Sequence, residues 1–158
     1  RDRSVSRGLG DVYKRQLLKL VVEKDPTEKG ERAILNFGHT IGHAIEKAKN
    51  FELLHGECVA LGCVAAAFIS WKRELLSMEE YYEIRDMFVP FNLPITIDDI
   101  DPNEILRLIA SDKKVEGDKI KFILLKKVGK AIIDTSVTKD EIMSGIQEIY
   151  FSEEDEHE

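Results

Sequence analysis

The longest apolar segment of the chain lies near its middle and predicts a buried helix. Residues 58–69 are apolar almost without interruption and form the centre of a helix expected from Glu57 to Leu76. Because a helix that is apolar on every side is covered on every side, we expect this one at the centre of the core. Its cysteines, Cys58 and Cys63, lack the spacing of a redox or metal motif and are expected to be small core residues.

Periodicity and capping signals predict further helices around the central one. Apolar residues at helical spacing indicate helices at residues 17–24 and 31–49. Ser77 and Thr138 are each followed three residues later by glutamate, which is the capping-box pattern that begins a helix. Asp101 precedes a proline that suits the first turn of another helix.

A change of period near the C-terminal end predicts a small β-hairpin. Two short strands, Lys119–Leu125 and Lys130–Asp134, are expected around a turn at residues 126–129. With six or seven helices and this hairpin, the predicted fold class is mainly α.

Composition and charge narrow the classes of protein to which the chain can belong. Its 158 residues include 43% apolar and 34% charged side chains, which fits one domain with a real core. The formal net charge of −7 disfavours a protein that coats nucleic acid. No apolar run is long enough to span a membrane. The two cysteines exclude a disulfide scaffold and favour a reducing, cytoplasmic location.

The two ends of the chain differ in character from the part between them. Residues 1–16 carry five basic and two acidic side chains without an apolar period, and are expected to be a non-native, adaptor-like leader. Residues 17–150 are expected to form one helical domain, and residues 151–158 an acidic tail.

Three of the four histidines are clustered in the sequence. His39 and His43 share a helix face, and His55 follows after a break. Such histidines can provide two metal ligands, or one ligand with a general base beside it, or an ordinary solvated pair. Gly38 and Gly42 weigh against the last alternative, because two glycines in one helical turn imply the close approach of a ligand or another helix.

A polar face would extend from this cluster if the helix begins by Arg32. Steps of four, three and four residues place Arg32, Asn36, His39 and His43 together, which suits an anionic, oxygen-rich ligand or a solvated helix surface.

Other charged residues are ambiguous by themselves. Lys113 and Lys114 can add positive charge to the site or simply interact with a helix C-terminus. The carboxylates of Glu28, Glu46 and Glu57 are typical of solvated side chains.

The chain as a whole closely resembles the 3-dehydroquinate synthase family. The resemblance covers Leu17 to about Tyr150 and rests on Val21-Val22, Asp25, Gly30, Arg32, the string LNFGHTIGHAIE at 35–46, His55-Gly56-Glu57, Asp112-Lys113-Lys114 and the 119–134 hairpin. It implies the helical C-terminal domain of a two-domain, homodimeric enzyme whose N-terminal α/β domain binds NAD. It also implies conversion of the sugar phosphate 3-deoxy-D-arabino-heptulosonate 7-phosphate to 3-dehydroquinate and phosphate in the shikimate pathway.

The resemblance assigns roles to individual residues. It implies His39 and His55 as ligands of a divalent metal, zinc or cobalt, that holds the substrate. It implies Glu28 and His43 as catalytic proton-transfer groups. It implies that Arg32, Asn36 and Lys113 or Lys114 contact substrate.

Two departures from the family pattern accompany these assignments. A third metal ligand, a glutamate, and the NAD domain belong upstream of this sequence, and Leu18 stands where the family has a substrate-binding lysine. The chain is therefore expected to be inactive alone. The alternatives are another sugar-phosphate cyclase, a non-catalytic helical interaction module or, more distantly, a relative of the iron-dependent alcohol dehydrogenases.

Overall fold

The computed structural model describes residues 37–112, 115–116 and 119–150. The predicted helix at 17–24, the leader and the acidic tail lie outside these residues. The described elements are five α-helices, one 3₁₀ turn and three strands: α1 His39–Ala48, α2 His55–Lys72, α3 Met78–Met87, the 3₁₀ turn Val89–Phe91, α4 Pro102–Asp112, β1 Val115–Glu116, β2 Lys119–Lys127, β3 Lys130–Thr138 and α5 Lys139–Ile149.

Helix α2 is the centre of the fold, as its composition predicts. Residues 58–70 are all buried, and α1, α3, α5 and β2 pack around the helix. Both cysteines lie in this core as free thiols. The buried hydroxyl of Ser70 donates to the Ala66 carbonyl at 2.8 Å and accepts from the Leu125 N–H at 3.0 Å. Its two hydrogen bonds thereby join α2 to the sheet without leaving a buried polar atom unsatisfied.

The hairpin is confirmed and is longer than predicted. Strands β2 and β3 pair antiparallel, with Ile120 opposite Val137 and Leu124 opposite Ile132. The two-residue strand β1 pairs with the outer edge of β2 and makes a three-stranded sheet, which the sequence pattern did not indicate. Ile120, Phe122 and Leu124 are buried toward α2, so one face of the sheet completes the core.

Both capping boxes begin helices as predicted. The Ser77 hydroxyl accepts the Glu80 N–H at 3.1 Å, and the Glu80 carboxylate accepts the Ser77 N–H at 3.0 Å. Thr138 and Glu141 make the same reciprocal pair at the start of α5, at 3.3 Å and 3.2 Å. These local bonds satisfy N–H groups that a helix start otherwise leaves without partners.

The helix predicted at 31–49 is wrong in its continuity. Phe37 and Gly38 form a turn, and α1 begins only at His39. Gly38 has a φ of +79°, in the left-handed region that favours glycine, so a right-handed helix does not pass through it. The regular spacing from Arg32 through His43 on one helix is therefore interrupted, and Arg32 and Asn36 lie outside the described residues.

The bounds of α2 also differ from those predicted. The helix begins at His55, two residues early, because the Glu57 carboxylate accepts the Leu54 N–H at 3.0 Å and caps the first turn. It ends at Lys72 because Glu74 adopts a φ of +64° and the Leu75 N–H returns to the Ser70 carbonyl at 3.0 Å. His55 is thus a helical residue and not part of the preceding loop.

Candidate functional site

A seam of glycines brings α1 and α2 into backbone contact. A Cβ atom on Gly62 would overlap the carbonyl oxygen of Gly38, and one on Gly42 would lie 2.7 Å from the carbonyl oxygen of Cys58. The thiol of Cys63 also reaches the Phe37 carbonyl across the seam, at 3.7 Å. The close approach predicted from the two glycines is therefore that of another helix, and it determines how near the first turns of α1 and α2 lie.

This close packing places His39 beside His55. Each histidine is the first residue of its helix, and the centroids of their rings are 5.5 Å apart at an interplanar angle of 55°. Sixteen positions separate them in the sequence, so only the packing of the two helices makes them neighbours. The structure thus brings together the two histidines for which the family resemblance implies a metal.

A carboxylate that was expected to be solvated completes this arrangement. Glu46 on α1 accepts a hydrogen bond from His55 Nδ1 through Oε2 at 2.6 Å, and its side chain is only 12% exposed against 49% for His55. The signal for Glu46 was present in its spacing, because position 46 lies seven residues after His39 and three after His43 on the same face of α1. The spacing alone does not show that His55 on α2 is its partner.

The hydrogen bonds of both histidines favour the same ring nitrogen for a metal. His39 Nδ1 donates to the Phe37 carbonyl at 3.3 Å, and His55 Nδ1 donates to Glu46. A neutral imidazole protonated at Nδ1 carries its lone pair on Nε2, the nitrogen that can bind a cation.

The spacing of the two rings fits a shared ion. With metal–nitrogen bonds of about 2.0–2.1 Å and a near-tetrahedral angle, two imidazole centroids on one ion lie about 5 Å apart. Within the described ranges there is no group of three or more His, Cys, Asp or Glu side chains that could hold a metal. Two imidazoles therefore fit as part of a ligand set, and further ligands would come from outside the described residues.

The other predicted site residues are placed only in part. His43 is exposed one helical turn after His39 on α1. Glu57 is used as a helix cap. The remaining candidates, Glu28, Arg32, Asn36, Lys113 and Lys114, lie outside the described residues.

A second polar cluster lies at the opposite end of α2 and joins three elements. Arg73 lies just after the helix and donates two hydrogen bonds to Glu141 of α5, one of them at 2.8 Å. It also donates one to Asp134 of β3 at 3.1 Å. Hydrogen bonds from Arg73 hold the pKa of Glu141 below its usual value, and the bond with Glu141 raises the pKa of Arg73. Burial acts to raise the pKa of Asp134, but hydrogen bonds from Ser136 and the charge of Arg73 together lower it. All three groups are charged and paired, which is typical of a structural tie.

None of the helices in the described part of the chain is long and apolar enough to cross a membrane.

Comparison with protein families and curated proteins gives consistent matches. The family model described as 3-dehydroquinate synthase C-terminal matches residues 14–115. A protein named 3-dehydroquinate synthase from Dehalococcoides mccartyi is 40% identical over 129 residues, which cover 82% of this chain and 36% of that protein. One from Nitrosospira multiformis is 41% identical over 140 residues, covering 87% of this chain and 37% of that protein. The chain spans little more than a third of the length of these relatives.

Solved structures share the fold at lower sequence identity. A 2-deoxy-scyllo-inosose synthase, complexed with carbaglucose-6-phosphate, NAD⁺ and Co²⁺, aligns with a TM-score of 0.72 at 24% identity over 91% of this chain and 52% of that one. A 2-epi-5-epi-valiolone synthase from Streptomyces hygroscopicus subsp. jinggangensis, with NAD⁺ and Zn²⁺ bound, aligns with a TM-score of 0.69 at 20% identity over 93% of this chain and 51% of that one. At these identities the likeness establishes the architecture of the helical domain.

Proposed function

The chain belongs to the 3-dehydroquinate synthase C-terminal family, and on that premise we propose that it supplies the metal- and substrate-binding part of such an enzyme. The reaction is the conversion of 3-deoxy-D-arabino-heptulosonate 7-phosphate to 3-dehydroquinate and phosphate. The observation that carries the proposal is the convergence of His39 and His55, with ring centroids 5.5 Å apart, on the seam between two helices.

His39 and His55 are proposed to hold a divalent cation, zinc or cobalt, through their Nε2 atoms. The donor set supports this, because each imidazole has its Nδ1 hydrogen bonded and its lone pair on the other nitrogen. When bound, such a cation would supply Lewis-acid polarisation of the hydroxyl-bearing carbon of the substrate. A glutamate from a preceding domain is the proposed third protein ligand.

His43 is proposed to move a proton within the same site. It is exposed on α1 one turn beyond His39, which leaves its imidazole accessible to a ligand. Glu28 is the proposed second proton-transfer group. Arg32, Asn36 and Lys113 or Lys114 are proposed to bind the carboxylate, hydroxyl and phosphate oxygens of the substrate, for which guanidinium and ammonium groups are well suited.

The redox part of this chemistry requires NAD, and we propose that a separate N-terminal α/β domain holds it. Within the described residues, no strand leads into a glycine-rich turn and helix of the kind that binds a dinucleotide phosphate. Tested by itself, the 158-residue chain is expected to fold but to release no phosphate from the substrate.

A chimeric enzyme tests the proposal directly. Residues 17–158 replace the matching segment of the Dehalococcoides mccartyi relative, and phosphate release from the heptulosonate phosphate is measured with NAD and zinc. Turnover is expected, and it is expected to be lost in the same chimera carrying His39→Ala or His55→Ala. NAD binding and circular dichroism on every variant show that the fold is retained.

The chimera also distinguishes the alternatives. A folded chimera that binds NAD and zinc but releases phosphate only from a different sugar phosphate would make this the domain of a sister cyclase. A folded chimera that takes up no zinc would contradict the metal assignment and favour a non-catalytic helical module.

A further inference from the structure

We propose that Glu46 is a positioning residue that orients His55 for metal binding. Its carboxylate holds the imidazole as the tautomer protonated at Nδ1, so that Nε2 is the nitrogen that binds the cation. This inference rests on the proposed function above, and it adds to it a residue to which the family resemblance gave no role.

The geometry of the pair supports a directing role. The Nδ1–Oε2 distance of 2.6 Å is short for a nitrogen–oxygen hydrogen bond, as a charged acceptor allows. The Glu46 side chain is only 12% exposed, so its carboxylate is held in place beside the half-exposed ring of His55. Exposed ion pairs often have no fixed geometry, whereas this carboxylate lies on a helix that the glycine seam holds against α2.

Two residues of α1, His39 and Glu46, are neighbours of the His55 ring. His39 and Glu46 are seven residues apart, which is about two turns and roughly 10 Å along the helix. The imidazole of His55 contacts Glu46 through Nδ1, and its centroid is 5.5 Å from that of His39. A single helix therefore provides both the neighbouring metal ligand and the group that sets the orientation of the second ligand.

Neighbouring carboxylates do not duplicate this role. Glu57, two residues after His55, is engaged with the Leu54 N–H at 3.0 Å. Glu52 is exposed in the loop between α1 and α2. Glu52 therefore offers a matched control for the loss of one negative charge near the site.

The primary test measures the tautomer of His55 directly. The full 158-residue chain, free of metal and labelled with ¹⁵N-histidine, is studied at pH 8.5 by two-bond ¹H–¹⁵N correlation, with His55→Asn used for assignment. Wild type and Glu52→Gln are expected to show His55 protonated at Nδ1. Glu46→Ala is expected to show a mixture of tautomers, and Glu46→Gln a smaller change because its amide oxygen can still accept.

A cobalt titration of the same variants, made in the chimeric enzyme that supplies the third ligand, provides the second readout. Loss of a group that orients a metal-binding histidine typically lowers affinity by about 10–100-fold. We expect a decrease in this range for Glu46→Ala, a smaller one for Glu46→Gln, and an unchanged affinity for Glu52→Gln. Circular dichroism identifies any variant that fails to fold, and Glu46→Gln then replaces Glu46→Ala.

The outcomes separate this inference from the proposed function. An identical tautomer in wild type and Glu46→Ala, or equal cobalt affinity for the two, would overturn the positioning role. If the wild-type chimeric enzyme binds no cobalt, the proposed metal function fails, while the tautomer comparison still decides whether Glu46 directs His55.

Discussion

The two ends of helix α2 are built in opposite ways. At its N-terminal half, glycines bring the backbone of α1 into contact, and the residues at the helix start are histidines with exposed or half-buried rings. At its C-terminal end, large side chains fill the space, with Trp71 stacked on Tyr81 at 5.4 Å between ring centroids. Arg73 then ties the helix end to β3 and α5.

The difference shows how stability and chemistry are divided along one helix. At the C-terminal end the polar groups bond to one another: Arg73 is paired with Glu141 and Asp134, and the Tyr81 hydroxyl donates to Glu148 at 2.8 Å. The N-terminal end keeps imidazole nitrogens near a surface that a ligand can reach. Substitutions in the polar cluster of the C-terminal end should therefore change stability alone, whereas substitutions of the histidines themselves should change ligand binding.

The largest effect on stability is expected from Gly62→Ala, at the seam itself. The added methyl group would overlap the Gly38 carbonyl, so α1 and α2 must separate, at a cost of about 3 kcal/mol despite the better helix propensity of alanine. Gly145→Ala on α5 is the control: its methyl would meet the movable end of Ile69 at 2.9 Å and the Ala65 carbonyl oxygen at 3.1 Å, a milder overlap, and we expect a change within about 1 kcal/mol. Urea unfolding measures both, and similar losses for the two variants would contradict the special role of the seam.

Arg73→Met should be the next most damaging change, at the other end of α2. It removes charge-assisted hydrogen bonds to two partly buried carboxylates, and we expect a loss of about 2 kcal/mol in the free energy of unfolding. Arg107→Met, on the exposed surface of α4, should cost under about 0.5 kcal/mol. Cobalt affinity should be the same in Arg73→Met as in wild type, and a weakened affinity would show that the two ends are not independent.

Ser70→Ala tests the hydrogen bond that joins the C-terminal half of α2 to the sheet. Without the hydroxyl, the Leu125 N–H loses its hydrogen bond to α2, which we expect to cost about 1–2 kcal/mol in the free energy of unfolding. Ser111→Ala on α4 removes an exposed hydroxyl that bonds only to its own helix, at the Leu108 carbonyl, and should be nearly neutral. If the two variants lower the melting temperature equally, the hydrogen bond between Ser70 and the sheet does not contribute to stability.

Lowering the pH should weaken the pairs of Arg73 with Glu141 and Asp134. The pKa values of Glu141 and Asp134 are lowered in the folded state, so their contribution to stability is present above the unfolded values near 4.5 and 3.8. It is lost as the pH falls through the lower folded-state values. The stability difference between wild type and Arg73→Met should therefore narrow below about pH 4.5. Urea unfolding from pH 7 to pH 3 tests this, and a constant difference across that range would contradict it.

The smallest effect on stability should come from His43→Ala at the histidine end. The side chain is exposed on α1, so we expect a change under about 0.5 kcal/mol. In the chimeric enzyme, the same substitution should lower turnover by about 10²–10⁴-fold, as expected for a proton-transfer group. Unaltered turnover would remove His43 from the proposed mechanism.

Elements with local signals could be predicted from the amino-acid sequence. A capping box acts over three residues, so Ser77 and Thr138 identified the starts of α3 and α5. An unbroken apolar run identified α2 as the central helix, because no other environment suits it. Gly38 and Gly42 predicted the close approach of a ligand or another helix, and the motif around His39 indicated the family.

Contacts between residues far apart in the sequence could not be predicted and depend on how the helices pack. No local pattern around Gly38 predicts that its backbone lies against Gly62, yet that close approach brings the first turns of α1 and α2 together and makes His39 and His55 neighbours. Glu46 reads as a solvated carboxylate until α2 places His55 against it. Arg73 likewise bonds to Glu141 across 68 positions of sequence. Such pairs depend on the separation and rotation of whole helices, which arise from the packing of many side chains together and not from any local pattern.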